Sequence, residues 1–195
     1  MAGTTIADHP LSAGRLKINY SEIDAVSAAL NDGKSSVSQP VLGKISKSAV
    51  IFISVPIRNR EGKVVAALAG LTFLDRTNFI GQVTENKYGQ TGGFLIVAKQ
   101  SRRVVSATDK SRVMEQLPAV GVNYWVDQYA NGYQGSAVTP NPKGVEVLAS
   151  GKSIPAAGWY VLATLPTAEP FAPLHDLQQR LLWATALLTL LIGAV

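Results

Sequence analysis

The chain has 195 residues, 47% of them hydrophobic and 16% charged, with no cysteine and a formal net charge of +5. That length allows one domain or two small ones, and the apolar content with modest charge excludes a disordered chain. The lack of cysteine excludes thiolate zinc sites, cysteine nucleophiles and a disulfide framework, and His9 and His175 are too far apart for the usual metal-ligand spacings.

The first periodic segment is Tyr20 to Leu30, where Ile23, Val26 and Leu30 share one face of a short amphipathic helix. Ser21 is placed to cap it, with Asp24 three residues on, and Gly33 to end it. Val50 to Ile57 (VIFISVPI) is an almost unbroken apolar run rich in β-branched residues, the signature of a buried strand. Asn59 to Gly62 is a turn signal, and Val64 to Leu74 returns as the second strand of an antiparallel hairpin. Phe79 to Asn86 reads as a helix leading to Tyr88-Gly89.

A second set of elements follows. Gly92-Gly93 turns into a strand at Phe94 to Ala98, and Gln100-Ser101 into another at Arg102 to Ser106. Ser111 to Leu117 is expected to be helical and stopped by Pro118, and Tyr124 to Ala130 helical and ended by Gly132. Ser136 to Thr139, Val145 to Lys152 and Trp159 to Leu165 read as strands, with turns at Asn141 to Gly144 and Pro155 to Gly158. Punctuation recurs at a nearly constant offset: Gly33 and Gly132, Pro40 and Pro140, Pro56 and Pro155, Gly62 and Gly158 each mark the same event. The expected fold is therefore α+β, two copies of one module of about 90 to 100 residues, a normal domain size. We place them at residues 1–84 and 85–166, with a C-terminal helix over 167–195. At this offset Arg102 to Ser106 corresponds to Thr4 to Asp8, so the first copy is expected to lack its first strand.

Thr167 can cap the last helix, and Pro170 and Pro173 suit its first turn. Phe171, Leu174, Leu177 and Leu181 recur at spacings that place them on one face. Every charged residue precedes position 181, and Leu181 to Val195 is free of charge. Fifteen helical residues span about 22 Å, against a hydrocarbon core of about 30 Å. The run reads as a transmembrane helix cut short by the end of the sequence, with a buried core helix as the alternative. Trp183 suits an interfacial anchor, and Met1 to Leu11 does not resemble a secretory leader. A helix continuous into the bilayer would transmit movement through Leu174, Leu177 and Leu181; the alternative is a passive tether.

Enzyme chemistry finds little support. Gly89 to Gly93 enters a strand rather than a helix, so it is a turn and not a phosphate cradle. Asp8-His9 lacks a partner cluster, and His175-Asp176 lacks a strained nucleophile turn. No catalytic residue, metal or cofactor is expected. The basic residues are scattered, with Arg102-Arg103 the densest cluster, so no nucleic-acid partner is expected either. Ser54 and Thr72 interrupt apolar strands and are expected to line a pocket beneath the first helix. Arg15 and Tyr20, just ahead of that helix, would supply a cation and a hydroxyl for a polar or acidic ligand. The alternative is an ordinary half-exposed sheet face.

Four stretches carry a resemblance: IADHPLSAGR with a short helix and VSQP after it, AVIFISVPIRNREGKVVAALAG, YGQTGGFLIV and GWYVLATLPTAEPFAPL. Together they resemble the later part of a double Cache (dCache) sensor region, over Thr5 to Val195. The resemblance implies two PAS-like modules in the periplasm or extracellular space. It also implies anchoring in the bacterial inner membrane and a homodimeric receptor with a cytoplasmic output. The last stretch is similar to proteins ending in a GGDEF diguanylate cyclase; a histidine kinase or chemoreceptor output is the alternative. A protein-interaction or dimerisation module without a small ligand is a further one. The family's ligand pocket lies in the membrane-distal module, here the first. The amino-acid-binding subset places an Asp shortly after the glycine of the second hairpin strand. Here Gly70 is followed by Leu71 and Thr72, which puts an amino-acid ligand in doubt.

Overall fold

The computed structural model describes residues 3–10 and 14–193. Residues 11–13 of the IADHPLSAGR stretch, and the two residues at each end of the chain, lie outside it, as do the side chains of Pro173, His175, Asp176, Leu187, Leu188 and residues 190–193.

The first unit is built on a long hairpin, β3 (Ala49–Arg58) and β4 (Val64–Phe73). Two short strands, β1 (Ser36–Val37) and β2 (Val41–Leu42), pair antiparallel with the other edge of β3. Over this sheet lies α1 (Asp24–Ser27), which runs on as a π-helical turn over Ala28–Asp32 and ends at Gly33, φ 63°. Ile23, Val26, Val50 and Phe52 are buried between helix and sheet, with Leu30, Leu71 and Phe73 packed on them. The first half of β3 is covered on both faces. Beyond Phe52 it alternates, Ser54 buried while Ile53, Val55 and Ile57 are exposed. That change of pattern marks where the second unit stops covering the hairpin.

The second unit is a five-stranded antiparallel sheet in the order β6-β5-β9-β8-β7. Its strands are β5 (Gly93–Ala98), β6 (Arg103–Ala107), β7 (Gly135–Pro140), β8 (Glu146–Ile154) and β9 (Trp159–Pro166). The linking helix α2 (Phe79–Glu85) is capped by Asn78, whose side chain accepts from the Gly81 N–H. On the sheet lies α3 (Tyr124–Ala130), capped in the same way by Asn123. The residues of β5 split by period two. Leu95 and Val97 face a core with Tyr129, Tyr160 and Leu162. Ile96 and Ala98 join Val105 and Trp159 against Ala49, Ile51, Leu74 and Ile80 of the first unit and α2. One apolar layer therefore belongs to both units.

The duplication is visible in the backbone. In the first unit, Thr5 N donates to Ile18 O, Lys17 N to Thr5 O, and Tyr20 N to Gly3 O. In the second, Val104 N donates to Glu115 O, Met114 N to Val104 O, and Leu117 N to Arg102 O. The left-handed residues recur as well: Gly3 with Arg102, Lys17 with Met114, Gly33 with Gly132. Residues 3–5 thus occupy in their unit the place of the start of β6.

Three expectations are corrected. Ser111 to Leu117 is not a helix: a 3-10 turn over Lys110–Arg112 is followed by extended chain that pairs back on β6. Ser21 does not cap α1: its N–H is taken by Asn19 Oδ1 at 2.7 Å, and the helix starts three residues later. Thr167 Oγ1 donates to the Glu146 carbonyl at 3.2 Å, so it ties the last helix to β8. That helix, α4 (Ala168–Gly193), is continuous over 26 residues. Among the described residues no helix is long and apolar enough to cross a membrane. Entry of α4 into the bilayer is therefore not shown.

Candidate functional site

A pocket opens in the first unit beside α1. Arg15 and Tyr20 line it from the turn before the helix, Gly43, Lys44, Ile45 and Ser46 from the β2–β3 loop, Phe52 from β3, and Leu71 and Phe73 from β4. Phe52 and Leu71 are register partners, so they stand side by side on the helix-facing side of the hairpin. The Tyr20 ring tilts onto Phe52 at 5.4 Å between centroids. Lys44 Nζ sits 5.6 Å above the Tyr20 ring centroid, 2.8 Å from Glu22, and donates to Asn19 O. Arg15 lies 3.6 Å from Asp8. The loop is held by Gly43 N donating to Ser48 O, with Lys47 in the left-handed region at φ 55°. The water-accessible volume is about 40 Å³, room for a few waters at about 10 to 15 Å³ each.

Among the described residues the lining is therefore an aromatic and aliphatic floor below two cations, whose carboxylate partners, Asp8 and Glu22, stand outside the lining. Such a site can take an anionic group with a small apolar part.

Of the residues expected to form a site, Arg15 and Tyr20 come together in this pocket. Ser54 lies on the same face two residues beyond Phe52, buried, and outside the pocket lining. Its hydroxyl has no hydrogen-bond partner among the described residues, and neither has that of its register partner Ser36. Thr72 is not beneath the helix. Its register partner is Ile51, on the opposite face of the sheet, toward the second unit. The β2–β3 loop is not among the residues the sequence points to. Its only signal is a Gly-Lys-Ile-Ser-Lys-Ser stretch, which says loop and not pocket.

The corresponding place in the second unit is filled. At the 99-residue offset, Gly151 stands for Phe52 and Tyr129 for Leu30. The Tyr129 ring lies directly on Gly151, where a Cβ would overlap it, and its hydroxyl donates to Ala149 O at 2.9 Å. Tyr160 stacks on Tyr129, centroids 6.5 Å apart, and burial pushes its hydroxyl up to about 12. Arg102 and Asp127 approach to 2.8 Å at the edge of this cluster. The Gly121 N–H, and secondarily Arg102, hold the Asp127 carboxyl below the usual carboxylate range. Among the described residues no group of three or more His, Cys, Asp or Glu could hold a metal.

Leu174, Leu177 and Leu181 lie on α4 and are 55%, 56% and 58% exposed. They touch neither sheet closely enough to be buried, so α4 leaves the fold after its first turn.

Comparison with known proteins agrees with this architecture. The extracellular domain of a protein described as a histidine kinase, mmHK1S-Z3, superposes with a TM-score of 0.65 at 15% identity, over 83% of this chain and 60% of its own. The periplasmic sensory domain of the Campylobacter jejuni chemoreceptor Tlp1 gives 0.61 at 14%, over 81% and 60%. The ligand-binding domain of the Pseudomonas aeruginosa amino acid chemoreceptor PctB, in complex with L-Gln, gives 0.61 at 18%, over 91% and 70%. This chain thus spans about 60% of the length of the first of these structures. No curated protein matches the sequence. Residues 3–174 match the family described as the Cache domain, and the chain belongs to that family of extracytoplasmic sensor domains.

Proposed function

We propose that this chain senses a small carboxylate with an apolar part, bound in the pocket of the first unit. The observation that carries this reading is the lining: Arg15 and Lys44 at the rim and Tyr20, Phe52, Leu71 and Phe73 below, with Asp8 and Glu22, the ion-pair partners of the two cations, outside the lining. Arg15 would hold the carboxylate, and the rings would cover the apolar part. An α-amino acid also needs an acceptor for its ammonium group, and Leu71 stands after Gly70 where such an acceptor would serve. Several structural neighbours are named for amino-acid ligands, among them asparagine, GABA and L-Arg, which makes an amino acid the second reading.

In this proposal the domain boundaries are those set out above, 1–84, 85–166 and 167–195. The first 180 residues lie in the periplasm, and α4 enters the inner membrane near Leu181 and Trp183. The charge-free run after Arg180 and the exposure of the α4 leucines support that placement. The receptor would be a homodimer. Its output would be a diguanylate cyclase, on the resemblance of the stretch over 158–174, or a kinase or chemoreceptor, on the neighbours' names.

The test is thermal melting against a panel of small monocarboxylates, aromatic carboxylates and amino acids. A carboxylate at 100 times its Kd should stabilise by about 2.7 kcal/mol. Arg15→Ala should abolish that gain and leave the unliganded melting point nearly unchanged. Stabilisation by amino acids alone would favour the second reading. No stabilisation by any compound would sink direct sensing in this pocket.

A further inference from the structure

Two side chains hold the root of α4: Thr167, just ahead of the helix, on β8, and Glu169 on the loop before β5. Glu169, in its first turn, accepts from the Gln90 N–H at 2.8 Å, the Thr91 N–H at 2.9 Å and the Thr91 hydroxyl at 2.5 Å. All three donors belong to the loop that joins α2 to β5. Among the described residues, no other α4 side chain hydrogen-bonds to a different element.

The loop is shaped for this approach. Gly89 has φ 67°, and a Cβ there would overlap the Glu169 carboxylate; a Cβ on Gly92 would overlap the Tyr88 carbonyl. Two glycines therefore bring two backbone N–H groups and a hydroxyl to one carboxylate. At its other end the same loop is tied to the residue after β6, where Thr108 Oγ1 donates to Asn86 O at 3.4 Å and accepts from Phe94 N. It also follows α2, whose Ile80 packs in the apolar layer shared by both units. The loop is thus where, among the described residues, the connection between the units is hydrogen-bonded to the exit helix.

We propose that the Glu169 clasp is the positioning contact that couples the inter-unit loop to α4, so that displacement of α2 or the first unit moves the root of the exit helix. Glu169 is a positioning residue, acting through the loop and not on any ligand. The proposal rests on the sensor reading only for what the movement is for. The coupling itself stands or falls without a ligand.

The experiment uses the 195-residue chain in detergent micelles with no ligand added. Because the chain has no cysteine, paired cysteines at Lys152 and Arg180 take spin labels unambiguously, as do Lys143, in the β7–β8 turn, and Lys152, on β8, for a control pair within the second unit. Glu169→Gln keeps the shape but leaves an amide nitrogen facing donors. Gly89→Ala breaks the same contact from the loop side. Both should broaden the Lys152–Arg180 distance distribution and leave the Lys143–Lys152 distribution unchanged. Both should also speed amide exchange at Gln90 and Thr91 by roughly tenfold or more, the loss of a charge-assisted hydrogen bond. The proposal is overturned if both variants keep the wild-type width and exchange, or if the control pair broadens as much as the reporter pair. A failed carboxylate screen would leave a positive result here intact, and the reverse holds equally.

Discussion

At the scale of single residues, the acids of this chain carry its pH response. The Ser111 hydroxyl and N–H hold the Asp109 carboxyl low, the Gly121 N–H holds Asp127 low, and the Thr91 hydroxyl leads for Glu169. In each case the folded state binds its proton less readily than the unfolded chain. The stabilisation is therefore complete above the ordinary carboxyl range, near pH 4 to 5, and is lost as pH falls through the depressed native values. The melting temperature is expected to be flat from pH 7 to about 5 and to drop below about pH 4; a profile rising toward acid would contradict it. Gly151 gives a second residue-scale prediction. Its place under the Tyr129 ring leaves no room for a methyl group, so Gly151→Ala should cost about 1 to 3 kcal/mol by overpacking, read from denaturant unfolding. Little of this was legible in the sequence. Ser54 and Thr72 look alike as polar breaks in apolar strands. Only the register, Ser54 opposite Ala69 and Thr72 opposite Ile51, separates their faces, and a shift of one residue would exchange them.

At the scale of elements, what was legible followed from local patterns. The run from Val50 to Ile57 is buried at its start on both faces, so its β-branched continuity is the pattern of a covered strand. The segment from Ser111 to Leu117 misleads because Val113, Met114 and Leu117 recur at helical spacing. Long-range pairing wins there: Met114, at φ 69°, donates to Val104 O, and Leu117 N to Arg102 O. No local propensity records a partner ten residues away. The linking helix α2 is only seven residues long and depends on its cap. The Asn78 side chain also donates to the Phe73 and Arg76 carbonyls, both at 2.8 Å, so one residue fixes the helix to the end of β4. Asn78→Ala should cost about 1 to 2 kcal/mol. Asn78→Ser, which restores the cap alone, should recover part of that loss; equal melting points for the two variants would show that the cap contributes nothing.

At the scale of the whole molecule, the repeat and the shared apolar layer set the behaviour. Ile51 and Leu74 lie in one cluster with Ile96, Val105 and Trp159, so neither unit can open without exposing part of the other. Calorimetry should show a single transition, and Ile51→Ala, costing about 2 to 5 kcal/mol, should lower it as a whole; a first-unit melt that leaves the second unchanged would refute this. The tandem arrangement was legible because glycines and prolines punctuate both copies alike. The shared layer was not, since nothing in a strand's composition says which neighbour covers its second face. The clasp at Glu169 sits at one end of a rod of 26 residues, about 39 Å long at 1.5 Å per residue. Pivoted there, the rod acts as a lever: a tilt of about 5° at the root sweeps its far end through about 3 Å. A loop movement too small to open the pocket visibly would be magnified at the other end of the helix.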